Sequence, residues 1–375
     1  MKRILVTGGA GFIGSHTTDL LIQQGYQVRI LDNLQKPVHQ KGKPDYLHPE
    51  AEFIEGDVRN KRDFSLALRQ VDAVIHLAAY QDYLPDFSTF FEVNSVGTAL
   101  LYEIIVEEKL PIQKVVVASS QAVYGEGRYR CDEHGIFYPA IRSRQQLLEG
   151  EWDHRCPKCG QVLVWQTTDE SRVNPQNQYA ISKYTQELIS LNLGRRYGIP
   201  TTCMRYSIVQ GPRQSFYNAY SGACRIFSLA LFLGKAPVIF EDGKQVRDYV
   251  NIADVAAANV LVLERRQADF EVYNVGGGRA YTVYEFFECV REAFGVEVTP
   301  TIDGQFRFGD TRHIFSDISK LKGLGWSPQH DVKKSVADYL AYLRIQDGIA
   351  DILDSANQKM RALNVIQQAQ RKDFS

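Results

Sequence analysis

Tyr179 and Lys183 stand four residues apart in the run Tyr179-Ala180-Ile181-Ser182-Lys183. On a helix that spacing puts both side chains on one face. A lysine cation beside a phenol favours the tyrosinate and lowers the phenol's pKa. Such a phenol can take a proton from an alcohol while the carbon beneath it loses hydride. With 20 tyrosines in the chain, about one such pair arises by chance. The pair gains meaning only beside a hydride acceptor and a second hydroxyl to hold the alcohol.

Both are present. Thr7-Gly8-Gly9-Ala10-Gly11-Phe12-Ile13-Gly14 follows directly on the apolar run Ile4-Leu5-Val6. A buried strand is thus followed by a tight glycine turn and a helix. Gly8, Gly11 and Gly14 have the spacing that lets a backbone approach a dinucleotide pyrophosphate, with the free N–H groups of the helix start facing it. Asp32 closes the next apolar strand, where a carboxylate accepts hydrogen bonds from both ribose hydroxyls and repels a 2′-phosphate, so NAD is expected rather than NADP. The oxidised nicotinamide adds its positive charge to that of Lys183. Ser120 ends the apolar run Val115–Ala118 and is placed to hold the reacting hydroxyl, that of a sugar, by a hydrogen bond.

The elements that must carry these groups alternate between strand and helix. Strands are predicted at Arg3–Thr7, Gln27–Asp32, Ala51–Glu55, Ala73–Leu77 and Lys114–Ser119. Helices are predicted at Ser15–Gln24, Phe91–Glu108 and Asn177–Tyr197. Such alternation implies an α/β, Rossmann-type doubly wound parallel sheet covered by helices on both faces. Asp32, Asp57, His76 and Ser119 then gather on the rim where such sheets bind ligands. Two stretches break the pattern. Gly125 to Arg172 is rich in charges and turn residues and holds three of the six cysteines. From Ile345 onward, Ile349, Ile352, Leu353, Ala356, Met360 and Leu363 recur at helical spacing, as in an amphipathic helix packed on its own domain or on a partner subunit.

The chain has 375 residues, 44% of them hydrophobic, with 43 basic and 44 acidic side chains. That near-neutral balance argues against nucleic acid or an anionic membrane as the main partner. No apolar run in the sequence approaches the length of a membrane span. Met1-Lys2-Arg3 is followed by only three apolar residues, too few for a secretory core, so a soluble cytoplasmic protein is expected. In that compartment cysteines are thiols or metal ligands. Cys131 and His134, then Cys156 and Cys159, form two pairs of knuckle spacing, with Gly160 suited to the turn after the second. They suggest a structural zinc site with all four positions filled, in a lid beside the sugar pocket. A loop with ordinary thiols is the alternative, and His154 competes as the fourth ligand. Cys203, Cys224 and Cys289 lie in apolar contexts and read as core.

Taken together the motifs resemble the extended short-chain dehydrogenase/reductase superfamily, in its nucleotide-sugar epimerase and dehydratase branch. The resemblance spans most of residues 1–340. It rests on Gly8/Gly11/Gly14, Asp32, Asp57-Val58, His76-Leu77-Ala78-Ala79, Asn94 with Gly97-Thr98, Ser120 and Tyr179/Lys183. Further on it rests on Arg247-Asp248-Tyr249-Val250, Tyr273-Asn274-Val275-Gly276, Arg312 and Leu324-Gly325-Trp326. It implies NAD contacts from Gly8, Gly11, Phe12, Ile13, Gly14, Asp32, Asn33, Asp57, Val58, Leu77, Ala78, Ala79, Asn94, Tyr179 and Lys183. It implies a smaller C-terminal lobe that grips a nucleoside diphosphate, with Arg247 and Arg312 as phosphate ligands and Ser120, Gln121 and Arg213 as further substrate contacts. The resulting division is an NAD-binding domain over 1–205 containing the insertion, an interleaved substrate lobe over 206–344, and a helical tail over 345–375. A homodimer is a further expectation of the resemblance.

Two departures narrow the reading. Dehydratases of this branch carry an Asp-Glu pair where this chain has Gln121-Ala122, and neither replacement can donate a proton for water loss. Ile208 stands where the branch usually has an asparagine, which suits a less polar sugar such as a 6-deoxy sugar. The resemblance then implies NAD-dependent C4 epimerisation of a nucleoside-diphosphate sugar through a transient 4-keto intermediate, most similar to 4-epimerases of dTDP-6-deoxy sugars such as dTDP-L-rhamnose. The alternatives are a 4-keto-sugar reductase, against which Asp32 argues, and a non-catalytic dinucleotide-sensing scaffold.

Overall fold

The computed structural model describes every residue except 83, 218–221, 348, 350–352 and 371–375, together with the side chains of 354–356 and 359. Five strands form where apolar runs predict them: β1 (Arg3–Thr7), β2 (Gln27–Asp32), β3 (Glu52–Glu55), β4 (Ala73–His76) and β5 (Lys114–Ser120). Two later ones join them, β9 (Thr201–Tyr206) and β12 (Glu271–Val275), in the order β12-β9-β5-β4-β1-β2-β3. Every pairing is parallel. The strand order reverses between β1 and β4, and the crevice at that point is where open sheets take ligands.

Helices cover both faces, which is why β4 is buried end to end and reads as continuous apolar sequence. On one side Leu21 of α1 (Phe12–Gln23) shares a core with Val255, Ala258 and Val262 of α8 (Ile252–Glu264). On the other lie Phe64 of α2 (Lys61–Leu68) and Leu101 and Ile104 of α4 (Gly97–Glu107), with α4 packed on α6 (Gln178–Tyr197). α3 (Phe87–Phe91) runs into α4 through a π turn over Glu92–Val96. The continuous helix Phe87–Glu107 is long and apolar enough to span a membrane, contrary to the sequence expectation, but 56% of its most apolar window is buried inside the fold. It reads as a core helix.

The smaller lobe has a three-stranded sheet of β10 (Ile208–Gln210), β11 (Val246–Asn251) and β13 (Ala280–Thr282). Around it pack α7 (Ala223–Phe232), α9 (Val283–Phe294) and α11 (Val332–Arg344), joined by Phe227, Tyr249, Phe286, Phe287 and Tyr339. A full capping box, Thr282 with Glu285, starts α9. Between β11 and β13 the chain returns to the main sheet as β12, and the short α10 (Ser319–Lys322) packs against that strand. The insertion forms its own antiparallel sheet of β6 (Tyr129–Cys131), β7 (Gly135–Phe137) and β8 (Val164–Trp165), plus the short α5 (Arg144–Leu148).

The tail departs from the single helix expected of it. α12 (Leu353–Ala362) is followed by a strand, β15 (Ile366–Gln368), paired antiparallel with β14 (Gln305–Arg307). Three residues are too few to show a period in sequence, and this strand exists because β14 offers it an edge. Of the apolar positions in the tail, Leu353 and Met360 are buried and Leu363 is exposed, while Ile352 and the Ala356 side chain lie outside the described residues.

Candidate active site

One cavity of about 890 Å³ runs from the glycine turn to the C-terminal lobe. Its first end is built by the turn after β1. Gly8 has φ +67°, and a Cβ there would stand 2.8 Å from the Ala78 backbone. A Cβ on Gly14 would fall 2.2 Å from the Gly8 carbonyl oxygen, so glycine alone lets α1 pack onto its own turn. The N-cap of α1 is Gly11, which has no capping side chain, and the first turn carries no acid. Its N–H groups therefore face the crevice with the positive end of the helix dipole. Asp32 accepts hydrogen bonds from the Ala10 and Leu34 N–H groups (3.0 and 2.9 Å) at the end of β2. Burial raises its carboxyl, and the Leu34 N–H and nearby His39 oppose that rise. Against its own partial burial, Asp57 is held down to about 2 by Arg59, and it accepts a 2.8 Å bond from Asn33. Gly8, Gly11, Phe12, Ile13, Gly14, Asp32, Asn33, Asp57, Val58, Leu77, Ala78 and Ala79 all line this end. A cap-free helix start behind a glycine turn, with a carboxylate at the next strand end, fits a dinucleotide with an unphosphorylated ribose.

At the middle of the cavity Ser120 closes β5, and its Oγ accepts from Ala122 N (3.1 Å) as the chain turns. Tyr179 is the second residue of α6, whose start is fixed by Asn177 Oδ1 accepting from Ala180 N at 2.8 Å. Both side chains line the cavity. Lys183 and Asn94, expected as cofactor contacts, do not. Lys183 is 1% exposed, and its Nζ donates to Gln186 Oε1 at 2.6 Å. Burial pushes its ammonium down to about 7, against the pull of the Glu187 carboxylate. Asn94 accepts from Tyr80 N (2.8 Å) and donates to Ser182 Oγ (2.9 Å), which fastens the loop after β4 to α6. Both residues sit one layer behind the lining because their polar atoms are engaged by the protein itself.

That layer is a continuous relay. Gln186 Nε2 donates to Thr98 Oγ1 (2.8 Å), which donates to Asn94 O (2.7 Å). Thr98 can then only accept from His76 Nε2 (3.1 Å), leaving His76 Nδ1 to accept from Thr7 Oγ1 (2.7 Å). Thr7 Oγ1 in turn accepts from Ala78 N (3.2 Å). Full burial, with Lys183 nearby, pushes His76 down to about 3, so the ring is uncharged, as this pattern requires.

At the far end Arg247 lines the cavity, its guanidinium braced by the carbonyls of Val246, Thr311 and Arg312. Gln121 also lines it, and its buried Oε1 has no partner among the described residues. Arg312 and Arg213, both expected to touch substrate, are placed elsewhere. Arg312 is buried among Asp153, Glu241 and Asp242, which absorb its charge. Arg213 pairs with Asp19 at 2.7 Å and stacks over Tyr46, outside the lining. Sequence reasoning missed Arg307, which lines the cavity, bonds Asp310 (2.8 Å) and lies over the Phe240 ring. Its signal was an arginine just before the Gly309-Asp310 turn, where Gly309 has φ +97°.

In the insertion, the donor atoms of Cys131, His134, Cys156 and Cys159 lie within 4.8 Å of one another. Cys131 Sγ is 3.7 Å from Cys159 Sγ, and His134 Nδ1 is 3.6 Å from both Cys131 Sγ and Cys156 Sγ. Tetrahedral zinc with ordinary bond lengths needs separations of about 3.8 Å between sulfurs and about 3.6 Å from sulfur to nitrogen. The residues present fit that ion. His154 is not among them, since its Nε2 faces Glu126 at 3.1 Å. Of the other cysteines, Cys203 and Cys224 are buried core and Cys289 is half-buried.

The profile of the NAD dependent epimerase/dehydratase family matches residues 4–140 and 157–276. The dTDP-L-rhamnose 4-epimerase of Burkholderia thailandensis is 32% identical over 363 residues, 95% of this chain and 97% of that one. The UDP-glucose 4-epimerase of Thermotoga maritima, solved with UDP-glucose, aligns at a TM-score of 0.75 and 31% identity over 91% of this chain and 98% of that one. The Thermus thermophilus UDP-glucose 4-epimerase, solved with NAD, aligns at 0.70 and 28% over 92% and 99%. With the glycine cradle, Asp32, Ser120 and Tyr179 on one cavity, and relatives that are nucleotide-sugar 4-epimerases, the chain belongs to the NAD dependent epimerase/dehydratase family.

Proposed function

We propose that this protein is an NAD-dependent 4-epimerase of a dTDP-6-deoxy sugar, with dTDP-L-rhamnose, the substrate named for the 32% identical Burkholderia thailandensis relative, as the leading candidate. The observation that carries the reading is that Tyr179 and Ser120 line one cavity together with the dinucleotide cradle and Arg247. NAD, when bound, supplies a reversible hydride acceptor for the sugar's C4. Tyr179 takes the C4 hydroxyl proton and later returns it. Ser120 holds the same oxygen. Lys183, one turn along α6 behind the lining, favours the tyrosinate while it holds its proton, which burial restricts to below about pH 7. Arg247 and Arg307 hold the diphosphate, a task suited to guanidinium forks. The 4-keto sugar turns about its phosphate linkage and presents its other face. Gln121-Ala122 gives no acid for dehydration, and Ile208, also on the lining, suits a deoxygenated sugar better than a hydroxylated one. Asp32 disfavours the NADPH that a 4-keto-sugar reductase would use.

Incubation of the enzyme with a panel of nucleotide sugars in deuterated water tests this. The expected product is the C4 epimer, free of deuterium at carbon and formed without added NADPH. Loss of water, deuterium at C5 or a need for NADPH sinks the proposal.

Two structural readings accompany it. A zinc ion held by Cys131, His134, Cys156 and Cys159 folds the insertion and has no catalytic role, because no coordination position is left open. One zinc per chain in purified protein, lost in Cys156→Ser, is the expected result. A homodimer forms through the exposed apolar side chains of Val96, Ile181 and Leu188 beside α4 and α6. Sedimentation of Leu188→Glu as a monomer is the expected outcome.

A further inference from the structure

The C-terminal segment closes the far end of the cavity. Leu353, Asn357, Met360 and Arg361 of α12, with Val365 and Ile366 at the entry to β15, share the lining with Arg247 and Arg307. Leu353 packs on Leu229 and Ala230 of α7. Ile366 pairs across the ladder with Arg307 itself, and Arg361 donates to Gln305 Oε1 at 2.8 Å on the same strand. The far edge is tied to the insertion. Gln370 N donates to Leu148 O (2.8 Å), Arg144 Nε donates to Gln367 Oε1 (2.8 Å), and Ala369 shares an apolar cluster with Leu147, Trp152 and Phe306. The segment is therefore a strap fixed along both sides of the cleft.

Its place fixes what it can touch. The reacting sugar carbon must stand at Tyr179 and Ser120, and the diphosphate at Arg247 and Arg307. The nucleoside then lies beyond, between α7 and the strap. We propose that the strap is the recognition wall for a thymidine nucleoside, with Leu353 and Met360 packing on the base and its 5-methyl group and Asn357 at the polar edge. The choice of a nucleoside diphosphate rests on the epimerase reading; the wall itself does not need turnover. Leu353 and Met360 are each more than nine-tenths buried, so a methyl seated against them is removed from water. A buried methyl is worth about 0.8 kcal/mol, or about fourfold in affinity.

Calorimetry on the full chain with thymidine diphosphate and uridine diphosphate as probes tests the wall. Wild type should bind thymidine diphosphate about fourfold more tightly than uridine diphosphate. Met360→Ala should weaken thymidine diphosphate by about tenfold and abolish the preference, with NAD affinity unchanged. Met360→Leu, which keeps the apolar bulk, should retain both affinity and preference. Equal affinity of wild type for the two nucleotides, or an unmoved Kd in both Met360→Ala and Leu353→Ala, overturns the proposal. So does a matching loss of NAD binding in Met360→Ala, which would mark a general loss of fold. A protein that epimerises nothing yet loses thymidine diphosphate in Met360→Ala upholds the strap and sinks the epimerase reading. An active epimerase whose affinities do not move does the reverse.

Discussion

The two ends of the cavity are built by opposite means. The dinucleotide end comes from contiguous sequence, a strand, a glycine turn and a helix within residues 3–23, completed by the ends of β2 and β4. The nucleotide-sugar end is assembled from β10, β11, α7, β14 and the tail, segments scattered over residues 208–368. The first end is fixed by backbone geometry and tolerates almost no added atom. The second is fixed by which side chains reach across long connections, so it can change one contact at a time.

Substitutions at the two ends should therefore fail differently. Tyr179→Phe, at the junction, should lose about 10²–10⁴-fold in kcat, the usual worth of a positioned acid–base group, while still binding NAD. An active Tyr179→Phe breaks the mechanism. Gly14→Ala should lose NAD binding altogether and melt earlier, because its Cβ meets a carbonyl at 2.2 Å; normal NAD affinity would show that the cradle yields more than its geometry allows. In the other half, Arg312→Ala should cost about 1.5–3 kcal/mol of stability by removing the charged partner of Asp242 and Asp153, Glu241 keeping Arg142, measurable by denaturant unfolding. Arg307→Ala should leave the melting temperature nearly unchanged and raise KM. Reversed outcomes for the two arginines would restore Arg312 as the phosphate ligand. The smallest effect is in pH dependence. Folding lowers Lys183 from an ordinary 10.5 to about 7. Between those values the unfolded chain holds a proton that the folded chain does not, so this group makes stability rise with pH across the window. Lys183→Met removes that slope. The stability gap should shift towards wild type from pH 7 to pH 10, whatever its sign at pH 7.

The same contrast explains what was legible. The first five strands, the glycine cradle, Asp32 and the Ser120/Tyr179 pair follow from local pattern, and the boundaries of β1 and β2 agree to the residue. The arginines were harder. Arg247, Arg307, Arg312 and Arg213 look alike in sequence, and only the fold tells which meet a cavity and which meet Asp19, Asp153 or Glu241. Lys183 and Asn94 were found, but their distance from the lining depends on Gln186, Thr98 and Ser182, which no spacing rule connects to them. The insertion and the tail read as separate interruptions. Their meeting at Leu148 and Gln370 is a long-range contact between two segments of weak periodicity.

The return of β12 to the main sheet has a bearing on biosynthesis. The edge strand of the cofactor half is encoded after β10 and β11 of the other half. A nascent chain cannot complete its seven-stranded sheet until residue 275 has cleared the ribosome, by which time β10, α7 and β11 of the lobe have also emerged, with β13, α9 and α11 still to come. The two halves must then mature as one cooperative unit, and a ribosome stalled between β9 and β12 holds a sheet with an open, aggregation-prone edge at β9.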